Sequence, residues 1–174
     1  MIEMELGGLG FDPRNMSPIV LLRDIEERNF LPIWIGMFEA AAIAMELQNF
    51  QPPRPMTHDL LSNIIANLGG HIDKVIINEI KDDTFYAIIE MHIVEEGEDE
   101  EDITDKDIIK IDARPSDAIA LAVRTDAPIF VAEQVMIKAK MVNTEKDEEE
   151  TKKFKDFIDN IKPGDFTNYF ESRQ

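Results

Sequence analysis

One stretch, Ile108 to Val135 (IIKIDARPSDAIALAVRTDAPIFVAEQV), limits the folds open to this chain more than any other, because it sets a strand, a charged corner, a helix and a return strand side by side. Ile108, Ile109 and Ile111 read as a largely buried strand that stops at Asp112, Arg114 and Pro115, since proline cannot continue a ladder. Pro115 suits a first helical position and Ser116 an N-cap; either start puts Asp117 in the first turn, opposite the positive end of the helix dipole. Ala118, Ile119, Leu121, Ala122 and Val123 then form a small-residue helix with Arg124 near its end, and Pro128 turns the chain into the strand Ile129 to Val131.

The same grammar occurs earlier. Ile35-Gly36 followed by Ala42-Ile43-Ala44 lines up with Ile111-Asp112 followed by Ala118-Ile119-Ala120. Three strands precede the first helix: Met1 to Leu6, which alternates apolar and acidic residues, then Pro18 to Leu22 and Phe30 to Ile35. A proline-rich break at Asn49 to Met56 and a helix at Thr57 to Leu68 follow, with Thr57 as N-cap, Asp59 in the first turn and Leu60, Leu61, Ile64, Ile65 and Leu68 on one face. Ile72 to Ile80 and Phe85 to Val94, separated by a Lys81-Asp82-Asp83-Thr84 turn, lead to the strand at Ile108. The expectation is an α+β fold: two three-strand meanders, each delivering a helix, in a mostly antiparallel sheet. Residues 1–142 form the domain, and residues 143–174 an acidic linker and an amphipathic terminal helix with Phe154, Phe157, Ile158 and Ile161 at helical spacing.

Charge and composition then bound the chemistry. The 174 residues carry 36 acidic and 18 basic side chains, a formal net charge of −18, which opposes nonspecific adhesion to phosphate backbones. Without cysteine there is no disulfide, thiolate metal site or cysteine nucleophile. MIEMEL lacks the features of a signal peptide, and no apolar run suits a membrane span, so a cytoplasmic protein without membrane contact is expected. Helices rich in alanine and methionine, with Met37 and Met45 among them, lead us to expect a homo-oligomer.

Candidate functional residues gather at the strand-to-helix corners. Asp112, Asp117, Asp59 and Glu39 are the carboxylates able to hold a divalent cation, with His58 beside them in a helix first turn. Arg114, Arg54, Arg124 and Ser116 are the groups that suit a phosphate. His71 and His92 read as ordinary strand residues, because no histidine has a partner at the helical spacing of a metal pair. The acids from Glu95 to Asp107 lack the spacing of a calcium loop, with its glycine and alternation, and read as a solvated segment.

The blocks LPIWIGMFEAAAIAMELQ (Leu31 to Gln48), RPMTHDLL (Arg54 to Leu61), TFYAIIEM (Thr84 to Met91) and DARPSDAIALAVRTDAPIFV (Asp112 to Val131) closely resemble the bifunctional nuclease domain family. The resemblance runs from the first strand to about Val135. It implies cleavage of DNA and RNA, and that chemistry needs carboxylates holding one or two hard cations (Mg, Mn or Ca) and a basic group on the phosphate. Asp112, Asp117 and Asp59 are then the expected metal ligands. Two readings stand: a metal-dependent nuclease, and a noncatalytic interaction or ligand-binding module.

Overall fold

In the computed structural model, which describes residues 1–12, 16–26, 28–94, 104 and 107–144, alternating apolar residues lay out two antiparallel meanders. β1 (Ile2–Asp12), β2 (Ser17–Asp24) and β3 (Phe30–Trp34) make the first; β4 (Gly70–Lys81), β5 (Thr84–Ile93) and β6 (Ile109–Ala113) make the second. Between them lies β7 (Ile129–Val131), antiparallel to β1 and parallel to β4, so that a single seven-stranded sheet runs β3-β2-β1-β7-β4-β5-β6. The two meanders thus run outward from β7 in opposite senses, the arrangement that a two-fold axis normal to the sheet produces.

α1 (Met37–Leu47) leaves β3 and α3 (Pro115–Thr125) leaves β6, and the two helices pack together on one side of the sheet. α2 (Thr57–Asn67) lies against α3 and β4, and α4 (Glu133–Thr144) against β4. Strand alternation sends Val20, Leu22, Leu31, Ile33, Ala87 and Ile89 into one core with Ile43, Ile119 and Leu121 of the helices. The duplicated meander-plus-helix architecture is therefore the fold. Gly36 and Arg114 are the two N-caps, which makes Ala40 the counterpart of Ala118, two residues from the match that the Ala-Ile-Ala triplets suggest. Both alanines are fully buried.

Local geometry corrects several expectations. β1 continues through its glycines to Asp12, because a bulge between Leu6 and Gly8, with Gly8 at φ 149°, absorbs what reads as a loop. β6 is an edge strand, not a buried one, and Ile109 and Ile111 remain exposed. Helix α2 starts one residue ahead of expectation, with Met56 as N-cap and Thr57 at the first helical position; of the two starts open to α3 the structure takes the one with Pro115 at the first helical position, with Arg114 as N-cap and Ser116 second. Asp82 and Asp83 both take positive φ, 49° and 57°, as a two-residue hairpin turn compatible with strand twist requires. α4 has no counterpart among the expected elements; its Val135 and Met136 are buried, but too few apolar residues alternate there to announce a helix. The terminal helix expected at 151–161 and most of the acidic run at 95–107 lie outside the described residues. No described helix is long and apolar enough to cross a membrane.

Candidate functional site

α1, α2 and α3 each place an acid at the third helical position, Glu39, Asp59 and Asp117, where it opposes the partial positive charge of the helix start. Two arginines of the third segment answer these acids. Arg114, the N-cap of α3, holds Asp117 in a two-pronged contact, Nε to Oδ2 at 2.7 Å and Nη2 to Oδ1 at 2.9 Å, and donates from Nη1 to Glu39 Oε1 at 2.7 Å. It thereby ties the start of α1 to the start of α3, although β3 and β6, which feed those helices, are opposite edges of the sheet. His58 of α2 joins from the other side, its Nε2 lying 3.0 Å from Asp117 Oδ1.

Electrostatics follow from these contacts. Burial pushes the Asp117 carboxyl up, but the hydrogen bonds from Arg114 and His58 outweigh it and hold the group below the ordinary aspartate value of 3.8. Asp117, and then Glu39, in turn push the Arg114 guanidinium still higher than usual. For Asp59, burial is again outweighed, here by Arg124 and the Met56 amide, and its carboxyl is lowered as well.

An open cleft of about 360 Å³ lies beside Arg114, within the range of ligand sites, roughly 300–1,000 Å³. Trp34, Glu39, Asp83, Thr84, Arg114 and Ser116 are the residues there able to bind polar or aromatic groups. Arg114 has a side chain 65% exposed, so the guanidinium hydrogens not taken by Asp117 and Glu39 face water. Trp34 is half-exposed, its indole Nε1 donating to Asp12 Oδ2 at 3.4 Å. Gly36 leaves the space into which Glu39 folds, since a Cβ there would collide with Glu39 Oε2.

Of the residues expected at the site, the cleft unites Glu39, Arg114 and Ser116, with Asp117 and His58 behind Arg114. The others go elsewhere. Asp112 pairs across from Ile88, on the side of the sheet that carries Glu90 and Lys110 and faces away from the helical core. Asp59 is engaged by Arg124, so Asp112, Asp117 and Asp59 do not converge and the expected metal ligand set is not assembled. Arg124 is likewise turned inward, away from the cleft. Only 6% exposed, it spends its fork on Asp59 Oδ1 (2.7 Å), Ala120 O (2.8 Å) and Ala42 O (3.0 Å), stapling α1, α2 and α3 together. Arg54 sits exposed between two prolines and makes no ion pair among the described residues.

Among the described residues, the donor atoms that do come together belong to His71, Asp73 and His92, one from each lying within 4.8 Å of the other two, which is a group able to hold a metal. Reading histidines for helical spacing misses them. The signal lies in strand spacing instead, since His71 and Asp73 are two apart on β4 and the hairpin turn at Asp82-Asp83 brings His92 back opposite them.

The profile described as the bifunctional nuclease domain matches residues 20–144. An uncharacterized protein of Mycobacterium tuberculosis is 40% identical over 95% of this chain and 98% of its own length. Bifunctional nuclease 1 of Oryza sativa subsp. indica is 27% identical over 67% of this chain, and bifunctional nuclease 2 of subsp. japonica 30% identical over 66%; in both, the match spans 33% of the plant protein.

Proposed function

The chain belongs to the bifunctional nuclease domain family, and from that premise we propose that it hydrolyses phosphodiester bonds of single-stranded DNA and RNA in the cleft beside Arg114. The observation that carries this reading is the state of Arg114: fixed in orientation by two carboxylates, yet open to solvent on its remaining hydrogens. A phosphate needs such a preset fork, because immobilising a free arginine costs side-chain entropy at the moment of binding. Trp34, half-exposed in the same cleft, offers a face for a base to stack on without sequence preference, a contact worth roughly 1–3 kcal/mol.

The charges of the cleft also favour a reaction that uses a cation. Glu39 and Asp83 bring two negative charges against one positive charge on Arg114, in a chain of net charge −18. Unaided, the fork attracts phosphate weakly. A magnesium, manganese or calcium ion arriving with the phosphate would find Glu39 as a carboxylate ligand and would stabilise charge on the attacking and leaving oxygens. Glu39 then binds and orients, Arg114 neutralises the phosphoryl oxygens, and the His58–Asp117 pair keeps Arg114 in place from behind.

The test is cleavage of single-stranded RNA and DNA with and without each of the three cations. We expect cation-dependent products from the wild type, a weaker apparent affinity in Trp34→Ala and loss of rate in Glu39→Gln. Equal rates in all three proteins would mean that a contaminant does the cutting.

A second reading, the interaction module, is favoured by one feature. α2 buries none of its residues completely, and Leu60, Leu61, Ile64 and Leu68 stay exposed where a core-facing stripe is expected. We propose that this face supports self-association. Light scattering of Leu61→Asp with Ile64→Asp should give a lower mass than wild type; a monomeric wild type at every concentration would refute it.

A further inference from the structure

Beyond the nuclease reading, we infer that His71, Asp73 and His92 form a binding site for a borderline divalent transition metal such as zinc, on the side of the sheet opposite α1 and α3. The face follows from alternation. Ala87, Ile89 and Met91 of β5 belong to the helical core, so His92 and Glu90 project the other way, and His71, opposite His92 in the register, projects with it. A bulge between Ile72 and Lys74 leaves Asp73 as the extra residue of β4, turned towards His92.

One donor atom from each of the three residues lies within 4.8 Å of the other two, close enough for a single ion to gather them. His92 Nδ1 lies 2.7 Å and His71 Nδ1 3.9 Å from Asp73 Oδ1, with the rings stacked at 5.3 Å between centroids. Those separations bracket the spacing of about 3.3 Å expected for ligands held about 2.0–2.1 Å from a tetrahedral ion. Two imidazoles with one carboxylate suit zinc and the neighbouring first-row metals, manganese least tightly, over magnesium and calcium, which take oxygen ligands. His71 is 63% exposed, which leaves a coordination position open to water.

A second observation separates this cluster from an ordinary hydrogen-bonded pair. The His92 side chain is only 9% exposed, and its Nε2, together with Asp73 Oδ2, is buried without any hydrogen-bond partner. Buried polar atoms of this kind are rare unless something absent from the protein chain completes them. Of the two atoms, Oδ2 is the one that bears on an ion: a cation held by the two Nδ1 atoms and Asp73 replaces the proton between His92 and Asp73 and gives Oδ2 a charge to face, while His92 Nε2, on the far side of the ring, is left as it is. The nearest fixed positive charges do not compete for that role, because Lys74 (3.0 Å) and Lys110 (2.9 Å) are both paired with Glu90.

The experiment uses untagged full-length protein, freed of metal by chelator and dialysis, and titrated calorimetrically with zinc, manganese, magnesium and calcium chlorides. One zinc per chain is expected, with manganese weaker and magnesium and calcium silent, together with a rise in the midpoint of thermal unfolding. His71→Ala, an exposed substitution that should fold normally, and Asp73→Asn should each weaken zinc at least tenfold, whereas His58→Gln should leave it unchanged. Absence of stoichiometric zinc binding, or equal weakening by His58→Gln and His71→Ala, would overturn the assignment. Because heat and unfolding midpoint are read rather than cleavage, failure here leaves the nuclease reading standing, and the converse holds.

Discussion

The two ends of α3 carry arginines of the same kind put to opposite use. Arg114 at the N-terminal end and Arg124 at the C-terminal end each reach a carboxylate at the start of another helix, Glu39 of α1 and Asp59 of α2 respectively. Their surroundings differ. Arg124 has 6% of its side chain exposed and meets two backbone carbonyls besides, whereas Arg114 has 65% exposed and keeps hydrogens facing the cleft. Sequence context does not distinguish the two, since both lie within a few residues of an acid. Burial does: Arg124 is enclosed where it ties the helices together, and Arg114 is left open to the cleft, where the proposed phosphate would meet it.

That contrast is open to direct attack. Replacing Arg124 with alanine strips Asp59 and two carbonyls of their buried partner, and truncations of that type cost about 3–5 kcal/mol. Urea denaturation should register a loss of that size. A change below about 1 kcal/mol, the size expected for Arg114→Ala at its exposed pairs, would erase the distinction between the two ends. Gly36→Ala sharpens the comparison from the side of α1, because the new Cβ drives out the Glu39 carboxylate that steadies Arg114. Gly36 itself has φ −75°, so no backbone strain accompanies the change. We expect cleavage to fall about tenfold with little loss of stability.

Acid provides the smallest and most local probe. Asp59 and Asp117 both have folded carboxyls held below the ordinary 3.8, so each favours the folded state above that value and loses its contribution as pH falls through the lowered one. Stability should therefore be flat near neutrality and decline below about pH 4. Asp59→Asn should flatten part of that decline while lowering stability at pH 7; an unchanged acid limb would show that Asp59 has no such linkage.

Much of this fold was legible because periodicity reports directly on burial. The two meanders, the small-residue helices and the acids in their first turns all followed from strand alternation and helix-start chemistry. What escaped depended on register. Counting back from the Asp82-Asp83 turn sets Asp73 opposite His92, and only the two bulges of β4 bring His71 there instead. Asp112 was misplaced for a related reason: one position along a strand reverses the face, so proximity to Asp117 in the chain says nothing about proximity in space. The cleft, too, joins the ends of two edge strands, a meeting that local patterns do not encode. Exposure of the α2 stripe lay equally out of reach, because an amphipathic helix announces a face and not its partner.

Cleavage and unfolding measured on the same preparations of Arg114→Ala, Arg124→Ala and wild type, at a temperature where each is folded, decide whether substrate binding lies with Arg114 and helix stapling with Arg124. Arg114→Ala is expected to cut single-stranded nucleic acid about 100-fold more slowly at nearly wild-type stability, and Arg124→Ala to unfold far more easily yet retain its rate per folded molecule, a division of roles between the two arginines. A fully active Arg114→Ala would contradict it.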